Sequence, residues 1–365
     1  MTLLTGRIFI SADDLTGALD TGVQFAKAGL HVRVTPTPAF ISGDEDVLVV
    51  CTQTRHLPAQ KARAVVRDVF TQAKQAGSYG VYFKKLDSTL RGNVGSELEG
   101  MADALGADCI RLCNAFPAAG RTTKNGIQYV NGTALHETPF ANDPFNPISS
   151  SSIEEIIRAQ SPGAAAITRV LDAQTDEEID QHMQEEPSVL AGCAGLAGAL
   201  ARKRSRTNSP AFPAFASPPL ILLGSINPVA DEQAAYAAGQ GVPLFTLPEC
   251  PSSLPAIVQT PRPSAPVSSE DGRAMAQRMG ALFAQRMRTS PDTPVMVVGG
   301  DTLLACIEAV RCEELVPLGE VMPGTVLLRM TFDGHFCHLL SRAGGFGGHS
   351  ALVDTIEYLN GGIAL

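Results

Sequence analysis

The feature that most constrains the fold of this 365-residue chain is a repeated alternation of short apolar runs with longer amphipathic segments. Strands that alternate with helices build a mostly parallel sheet that is covered on both faces. The strands predicted in the first part are residues 7–11, 32–34, 47–51, 80–83, 109–112, 165–168 and 189–191. The helices predicted between them are residues 19–29, 60–76, 94–105, 152–160, 176–185 and 196–204.

A break in this alternation predicts a second domain. Residues 203–219 are rich in basic residues, Ser and Pro, and end in Ser217-Pro218-Pro219, which is typical of an interdomain linker. The strands of the second series are predicted at 220–223, 244–247, 295–298, 326–330 and 336–340, and the Pro-rich residues 248–266 as a surface excursion. We therefore predict an α/β protein with two domains, each a mostly parallel sheet flanked by helices, at residues 1–205 and 220–365, with a linker at 206–219.

Composition narrows the class of protein. Hydrophobic residues make up 44% of the chain and charged residues 18%, as in a globular protein with a sizeable core. The net charge of −9 argues against nucleic acid or an anionic membrane as the main partner. Residues 1–10 lack the pattern of a signal peptide, and no apolar run approaches the roughly 18 residues of a membrane span. The eight cysteines show no paired spacing, which favours free thiols and a cytoplasmic location.

One short stretch resembles a metal site only superficially. Alternation along a strand points Cys337 and His338 to opposite faces, so we predict an ordinary strand at this position and no metal site.

The most polar turn of the chain follows the predicted strand 80–83. It reads Lys84-Lys85-Leu86-Asp87-Ser88-Thr89-Leu90-Arg91-Gly92-Asn93. So many polar groups are costly to bury without partners, and ligands of open α/β sheets bind at the carboxyl ends of strands. We predict a site for a small, oxygen-rich anion, in which Arg91 grips a carboxylate with two hydrogen bonds and Asp87 accepts from sugar hydroxyls. The alternative is a solvated loop with a Ser or Thr cap.

Two further stretches of the first domain are predicted to contribute to this site. Asp13 and Asp14 join the first strand to the first helix. One aspartate suffices to cap that helix, so the other is expected to face a ligand hydroxyl or a bound cation. The aperiodic residues 114–146 are predicted to form an ordered functional loop, with Arg121 as a second clamp for an anion.

Glycines follow three strands of the second domain, within residues 223–228, 298–302 and 343–348. Glycine lets backbone N–H groups approach a phosphate, and the amino end of the next helix adds a favourable field. Three such joints together predict a nucleotide site. The chain contains neither the P-loop motif nor the dinucleotide-binding fingerprint.

Together these motifs resemble the four-carbon acid sugar kinase family, long catalogued as a domain of unknown function, over nearly the whole chain. The opening motif of that family is matched by residues 12–18. Its second motif is matched by Lys85, Asp87, Ser88, Thr89, Arg91 and Gly92. Further matches are residues 116–123, 129–132, 137–146, 192–196, 299–302 and 343–347. The chain departs from the family where Cys193 and Asn227 replace serines and Arg342 replaces a lysine.

The resemblance implies an ATP-dependent kinase that acts, with Mg²⁺, on a terminal hydroxyl of D-threonate, D-erythronate or 3-oxo-tetronate. The first domain would bind the acid sugar and the second would bind ATP. The catalytic candidates are Asp14, Asp13 and Asp87, with Asp14 favoured as the base. The substrate-binding candidates are Lys85, Ser88, Arg91 and Arg121. The nucleotide-binding candidates are Ser225, Gly299, Gly300, Asp301, Thr302, Gly344, Gly345 and Gly347.

The expected partners are therefore a small-molecule sugar acid and ATP, with neither nucleic acid nor membrane. The sequence leaves the stereoisomer of the substrate and a homo-oligomeric state open. Two other functions are weighed against the kinase. A nicotinamide-dependent sugar-acid oxidoreductase would need the missing dinucleotide fingerprint. An acid-sugar sensor with a decayed nucleotide site would fit the changes at Asn227 and Arg342, and a measurement of ATP binding separates it from a kinase.

Overall fold

The chain divides into two compact units, Met1–Ser209 and Pro210–Leu365, in a computed structural model. The structure describes residues 6–41, 43–143, 146–184, 188–206, 212–213, 215, 217–262 and 269–360. Each unit is an α/β structure, as the alternating pattern predicts. The boundary between the units falls inside the predicted linker, part of which lies outside the described residues.

Unit 1 is built on a parallel sheet with strand order β2-β3-β1-β4-β10-β5-β9. Its strands are β1 (Arg7–Ala12), β2 (Val32–Thr35), β3 (Val47–Cys51), β4 (Tyr79–Lys85), β5 (Ile110–Cys113), β6 (Arg121–Lys124), β7 (Ile127–Val130), β8 (Thr133–Ala134), β9 (Thr168–Val170) and β10 (Val189–Gly192). Its helices are α1 (Leu15–Lys27), α2 (Ala59–Ala76), α3 (Val94–Leu105), α4 (Ile153–Gln160), α5 (Pro162–Ile167), α6 (Asp176–His182) and α7 (Ala194–Lys203).

The central strands of this sheet are apolar on both faces because helices cover both. Phe9 belongs to a core cluster that includes residues of α2, α3, α4 and α5, and its ring lies 5.2 Å from that of Phe70 on α2. Its neighbours Ile8 and Ile10 point to the opposite face and are also buried. This double burial explains why the strands appear in the sequence as continuous apolar runs rather than as an alternation.

The register of the sheet lines up the joints that carry the polar motifs. Ala12 at the end of β1 pairs with both Cys51 of β3 and Lys85 of β4. Gly192 at the end of β10 pairs with Lys85 and with Cys113 of β5. Five strands therefore end at one level, and the residues that follow them share one edge of the sheet.

Unit 2 is built on a sheet with strand order β12-β13-β11-β14-β17-β16-β15. In this sheet β16 runs antiparallel to both of its neighbours, β17 and β15. Its strands are β11 (Leu220–Leu223), β12 (Leu244–Thr246), β13 (Ala256–Gln259), β14 (Val295–Val298), β15 (Glu314–Met322), β16 (Thr325–Phe332) and β17 (His335–Arg342). Its helices are α8 (Pro228–Gly239), α9 (Ser269–Thr289), α10 (Gly300–Ala309) and α11 (Ala351–Leu359). Val298 pairs with both Leu223 and Arg342, so the three glycine joints also lie side by side.

Three predictions of secondary structure are wrong. Residues 165–167 belong to α5, and strand β9 begins only at Thr168. Ser161 caps α5 and Pro162 occupies its first position, a start signal that the apolar run concealed. The predicted surface excursion 248–266 contains β13, a buried strand of the sheet. The long β15 was missed because Pro317 and Gly319 interrupt its pattern, at a point where the register shifts.

The long loop 114–146 contains regular structure that the prediction overlooked. Strands β6, β7 and β8 form a small antiparallel sheet. The turns between them are Asn125-Gly126 and Asn131-Gly132, and all four of these residues have positive φ. Asn-Gly is the strongest short hairpin signal because only such residues adopt that turn at low cost.

Candidate active site

The two aspartates at the first joint have different surroundings. Asp14 is the N-cap of α1, and its Oδ1 accepts a hydrogen bond from Gly17 N at 2.9 Å. Asp13 is only 3% exposed. The sequence left open which aspartate caps the helix, and the structure assigns the cap to Asp14.

Arg55, which follows β3, connects the acidic residues of the site. Its Nε donates to Asp13 Oδ2 at 2.8 Å and its Nη1 to Asp14 Oδ2 at 2.8 Å. Its Nη2 lies 3.5 Å from Asp87 Oδ1. The sequence analysis missed this residue. Residues 52–55 follow β3, a correctly predicted strand that ends at the same edge of the sheet. Because ligands of open α/β sheets bind at the carboxyl ends of strands, a search of the residues after β3 would have identified Arg55.

The cations of the site keep its buried carboxylates ionised. Burial alone would raise the pKa of Asp13, but the charges of Arg55, Lys84 and Lys85 outweigh it and lower that pKa. Burial likewise opposes ionisation of Asp87, and the charges of Arg55 and Arg91 bring its pKa far below the usual range. Both aspartates are therefore negatively charged at neutral pH.

The polar turn after β4 is held together by Asp87. Its two oxygens accept from Arg91 Nη2 at 2.9 Å and from Arg91 Nε at 3.0 Å. Thr89 donates to Asp87 through both its backbone N–H and its hydroxyl, and Arg91 also reaches Asp143 at 3.3 Å. The fork of Arg91 that was expected to grip the substrate carboxylate is thus occupied by Asp87. Ser88 is half-buried in the same turn.

A second ion pair lies below this turn. Lys84 Nζ is 2.7 Å from Glu97 Oε2 of α3, and both side chains are buried. Lys84 also donates to the backbone carbonyls of Ser11, the penultimate residue of β1, and of Lys85, the last residue of β4. The pair therefore ties together the two strands whose joints carry Asp13 and Asp87.

Two cations of the site form no ion pair with an acidic side chain among the residues that the structure describes. Lys85 is buried and donates to the backbone carbonyl of Leu86 at 2.7 Å. Arg121 donates to the carbonyl of Ala119, and its buried Nε has no hydrogen-bond partner. Burial lowers the pKa of Arg121, the charge of Asp87 opposes this shift, and the charge of Arg91 adds to it. These are the two cations that remain available to an anionic ligand.

Buried oxygen atoms without partners complete the site. Within the described residues, Ser11 Oγ, Asp13 Oδ1 and Asn114 Oδ1 accept or donate no hydrogen bond. Asn114 follows β5, and its Nδ2 donates to the carbonyl of Asp87 at 3.2 Å. Buried polar atoms are normally paired, so these oxygens indicate a ligand that supplies hydroxyl donors.

In unit 2 the glycine joints touch one another. A Cβ on Gly344 would overlap Ser225 Oγ, and a Cβ on Gly224 would overlap Thr302 Oγ1. Thr302 is therefore buried against a neighbouring joint, while Asp301 is exposed in the first turn of α10. The remaining predicted nucleotide residues, Gly299, Gly300, Gly345 and Gly347, lie in these joints. The absence of a side chain at Gly224 and Gly344 therefore allows the neighbouring joints to pack closely together.

The two family departures in unit 2 have structural counterparts. Asn227 Oδ1 accepts from Val229 N at 3.0 Å and caps α8, a role in which asparagine and serine are equivalent. Arg342 ends β17 and is 3% exposed, and its Nε has no hydrogen-bond partner. Its Nη1 lies close to the glycine loop, 3.3 Å from where a Cβ on Gly347 would be.

Comparison with known proteins gives relatives over the whole chain. The family model of a sugar-binding N-terminal domain matches residues 8–200. A D-threonate kinase of Bordetella bronchiseptica is 30% identical over 96% of each chain. A 3-oxo-tetronate kinase of Brucella melitensis is 26% identical over 97% of this chain and 96% of the relative. The crystal structure of a Haemophilus influenzae protein from a domain family of unknown function shares the fold, with a TM-score of 0.74, 19% identity, and coverage of 97% and 99%. No helix in the described part of the chain has the length and apolarity to cross a membrane.

Proposed function

Because the chain belongs to the four-carbon acid sugar kinase family, we propose that it transfers the γ-phosphoryl group of ATP to a terminal hydroxyl of a four-carbon sugar acid. The observation that carries this proposal is the row of joints in unit 1. There, among the described residues, Lys85 and Arg121 form no ion pair with an acidic side chain, and Ser11 Oγ, Asp13 Oδ1 and Asn114 Oδ1 are buried without hydrogen-bond partners. A sugar acid has the carboxylate and the hydroxyls that these groups need.

We assign the substrate carboxylate to Lys85 and Arg121 rather than to Arg91. The Arg91 guanidinium already makes two hydrogen bonds to Asp87 and one to Asp143. A substrate carboxylate would have to displace one of these acids, whereas Lys85 and Arg121 have none to displace. The sugar hydroxyls would donate to Asp13 Oδ1 and Asn114 Oδ1.

Asp13 is our choice for the base that receives the proton of the attacking hydroxyl. Both oxygens of Asp14 are engaged, one in the helix cap and one with Arg55. Both oxygens of Asp87 are engaged by Arg91. Asp13 is ionised and keeps one oxygen without a partner. The substrate oxygen forms the new bond to phosphorus, the bond to the leaving ADP oxygen breaks, and the proton passes to Asp13.

We place ATP in unit 2, where Ser225, Gly299 to Thr302 and Gly344 to Gly347 surround the proposed phosphate position. Mg²⁺ would arrive with the nucleotide, bound mainly by phosphate oxygens and water, and would neutralise their charge. The cytoplasmic location stays a prediction from the sequence, and the oligomeric state stays open.

The test is a panel of four-carbon sugar acids, each with MgATP, read out as ADP release. We expect D-threonate to be a better substrate than 3-oxo-tetronate because the D-threonate kinase is more similar to this chain than the 3-oxo-tetronate kinase is. Binding of both ligands without ADP release would favour the sensor. Absence of ATP binding in the folded protein would refute the kinase.

A second test decides whether the substrate carboxylate binds Lys85 and Arg121 or binds Arg91. Arg121→Met and Lys85→Met should each raise the KM for the sugar acid by roughly 10- to 100-fold, the loss of a hydrogen bond to a charged group. The KM for ATP should not change. If Arg91→Lys raises the sugar-acid KM as much while the other two variants do not, the carboxylate binds Arg91 as the sequence predicted.

A further inference from the structure

The most unusual charge outside the acid-sugar site is Arg342. It is 3% exposed and lies at the end of β17, and two half-buried residues separate it from the exposed residues 345–348. In the part of the chain that the structure describes, no carboxylate forms an ion pair with it. Burial lowers the pKa of Arg342 to about 10, against the opposing charge of Asp354, so the guanidinium is still protonated at neutral pH. A buried cation without a paired anion is costly, and a bound anion would remove that cost.

Gln233 of α8 fixes the position of this arginine and of the glycine loop together. Its Oε1 accepts from Arg342 Nη2 at 2.5 Å. Its Nε2 lies within hydrogen-bond distance of the carbonyls of Phe346, Gly347 and Gly348, at 2.9, 3.2 and 3.0 Å. Gln233 is fully buried, so one amide links the cation to the loop.

The loop approaches the arginine closely because it contains glycine. A Cβ on Gly347 would lie 3.3 Å from Arg342 Nη1 and 3.4 Å from Gln233 Nε2, and Gly347 has a φ of 86°. The backbone of Arg342 is tied to a second joint, since its carbonyl accepts from Gly299 N at 2.9 Å. The guanidinium therefore lies beside one glycine joint, and the backbone of Arg342 is bonded to a second. By contrast, Arg262, at the same edge, is already paired with Asp231.

We propose that Arg342, oriented by Gln233 under the glycine loop 343–348, is the cation that binds the phosphates of the nucleotide in this protein. A guanidinium offers a planar fork that matches two phosphate oxygens, which a lysine at this position would not. The proposal rests on the proposed function, because it needs a nucleotide in unit 2. It makes Arg342 a phosphate-binding residue and Gln233 a positioning residue.

Calorimetry on the full-length protein with ADP and with adenosine tests this inference. Arg342→Gln should weaken ADP binding by roughly 10- to 100-fold and leave adenosine binding unchanged, because only ADP carries phosphates. Arg342→Lys should lose less, since it keeps the charge but not the fork. Gln233→Met should raise the KM for ATP and leave the KM for the sugar acid unchanged. Arg329→Gln, on β16, removes a charge from the same unit away from the joints, and should behave as wild type.

The outcomes separate this inference from the kinase assignment. Wild-type protein that binds no ADP refutes both. Wild-type binding with unchanged ADP affinity in Arg342→Gln refutes only the role of Arg342. Equal losses for ADP and adenosine also refute it, because they indicate a damaged fold. If Arg342→Gln does not fold, as judged by its thermal midpoint, the same comparison in Arg342→Lys decides.

Discussion

Replacement of Arg55 should destabilise unit 1 more than any comparable change of a surface arginine. The side chain is 11% exposed and contacts three carboxylates, two of which are themselves buried. Arg55→Gln leaves Asp13 and Asp87 ionised, buried and without their shared cation. Removal of one partner from a buried ion pair costs about 3–5 kcal/mol, because the remaining charge is uncompensated.

The destabilisation should depend on pH with a definite sign. The pKa values of Asp13 and Asp87 are lowered in the folded protein, by cation charges that outweigh the opposing effect of burial. Their contribution to stability is therefore present above the ordinary aspartate pKa of about 3.9 and is lost as pH falls below it, through the folded values. In Arg55→Gln this advantage is gone. The difference in unfolding free energy between wild type and variant should be largest near neutral pH and should shrink as pH falls below about 3.9.

Urea unfolding followed by far-UV circular dichroism measures this difference, since the chain has no tryptophan for fluorescence. The matched control is Arg63→Gln. Arg63 also contacts two carboxylates, Glu99 at 2.9 Å and Asp103 at 2.7 Å, but its side chain is 42% exposed. The control should cost at most about 1 kcal/mol, as exposed pairs do. A cost below about 1 kcal/mol for Arg55→Gln, or one that grows as pH falls, would show that Arg55 does not compensate these acids.

Three further predictions concern the same site. Asp13→Asn should fold normally and lose roughly 10²- to 10⁴-fold in kcat, as expected for a missing base. Asp14→Ala should lose the helix cap, about 1 kcal/mol by thermal unfolding, and should keep more activity than Asp13→Asn. The reverse pattern of activities would return the base to Asp14. Lys84→Met should cost about 3–5 kcal/mol of unfolding free energy at neutral pH, because it leaves the buried Glu97 carboxylate without its cation. The cost should be smaller in acid, because burial raises the pKa of Glu97 and protonation of Glu97 removes the uncompensated charge. Replacement of both residues should recover stability in urea unfolding. Asn114→Leu should raise the KM for the sugar acid by an amount equivalent to about 0.5–1.5 kcal/mol and leave the KM for ATP unchanged, and an unchanged sugar-acid KM would remove Asn114 from the site.

The sequence predicted most of the fold because periodicity reports burial directly. The strands buried on both faces, such as β3 and β14, were found with their exact bounds, as was α3. The errors fall where local chemistry overrides periodicity. Ser161 caps α5 and Pro162 begins it, so an apolar run that resembles a strand forms a helix. Two Asn-Gly turns connect β6, β7 and β8 in a stretch that shows no periodicity.

The site was predicted less completely than the fold, since a list of polar residues does not say which of them pair with one another. The sequence alone identified the joint of Asp13 and Asp14, the turn from Lys84 to Arg91 and the three glycine joints, because polar groups after apolar strands mark the carboxyl edge of a sheet. Only the tertiary structure decided that Asp87 occupies the fork of Arg91, that Arg55 joins three acids, and that Arg342 is buried beside glycine. The pairings of Arg55 and Arg342 depend on strand order and register, which bring together side chains far apart in the chain, 109 residues in the case of Gln233 and Arg342. Asp87 and Arg91 are only four residues apart, but their pairing depends on how the turn after β4 folds. Electrostatic pairing acts over a few ångströms in space, so it follows from the folded arrangement and not from spacing along the chain.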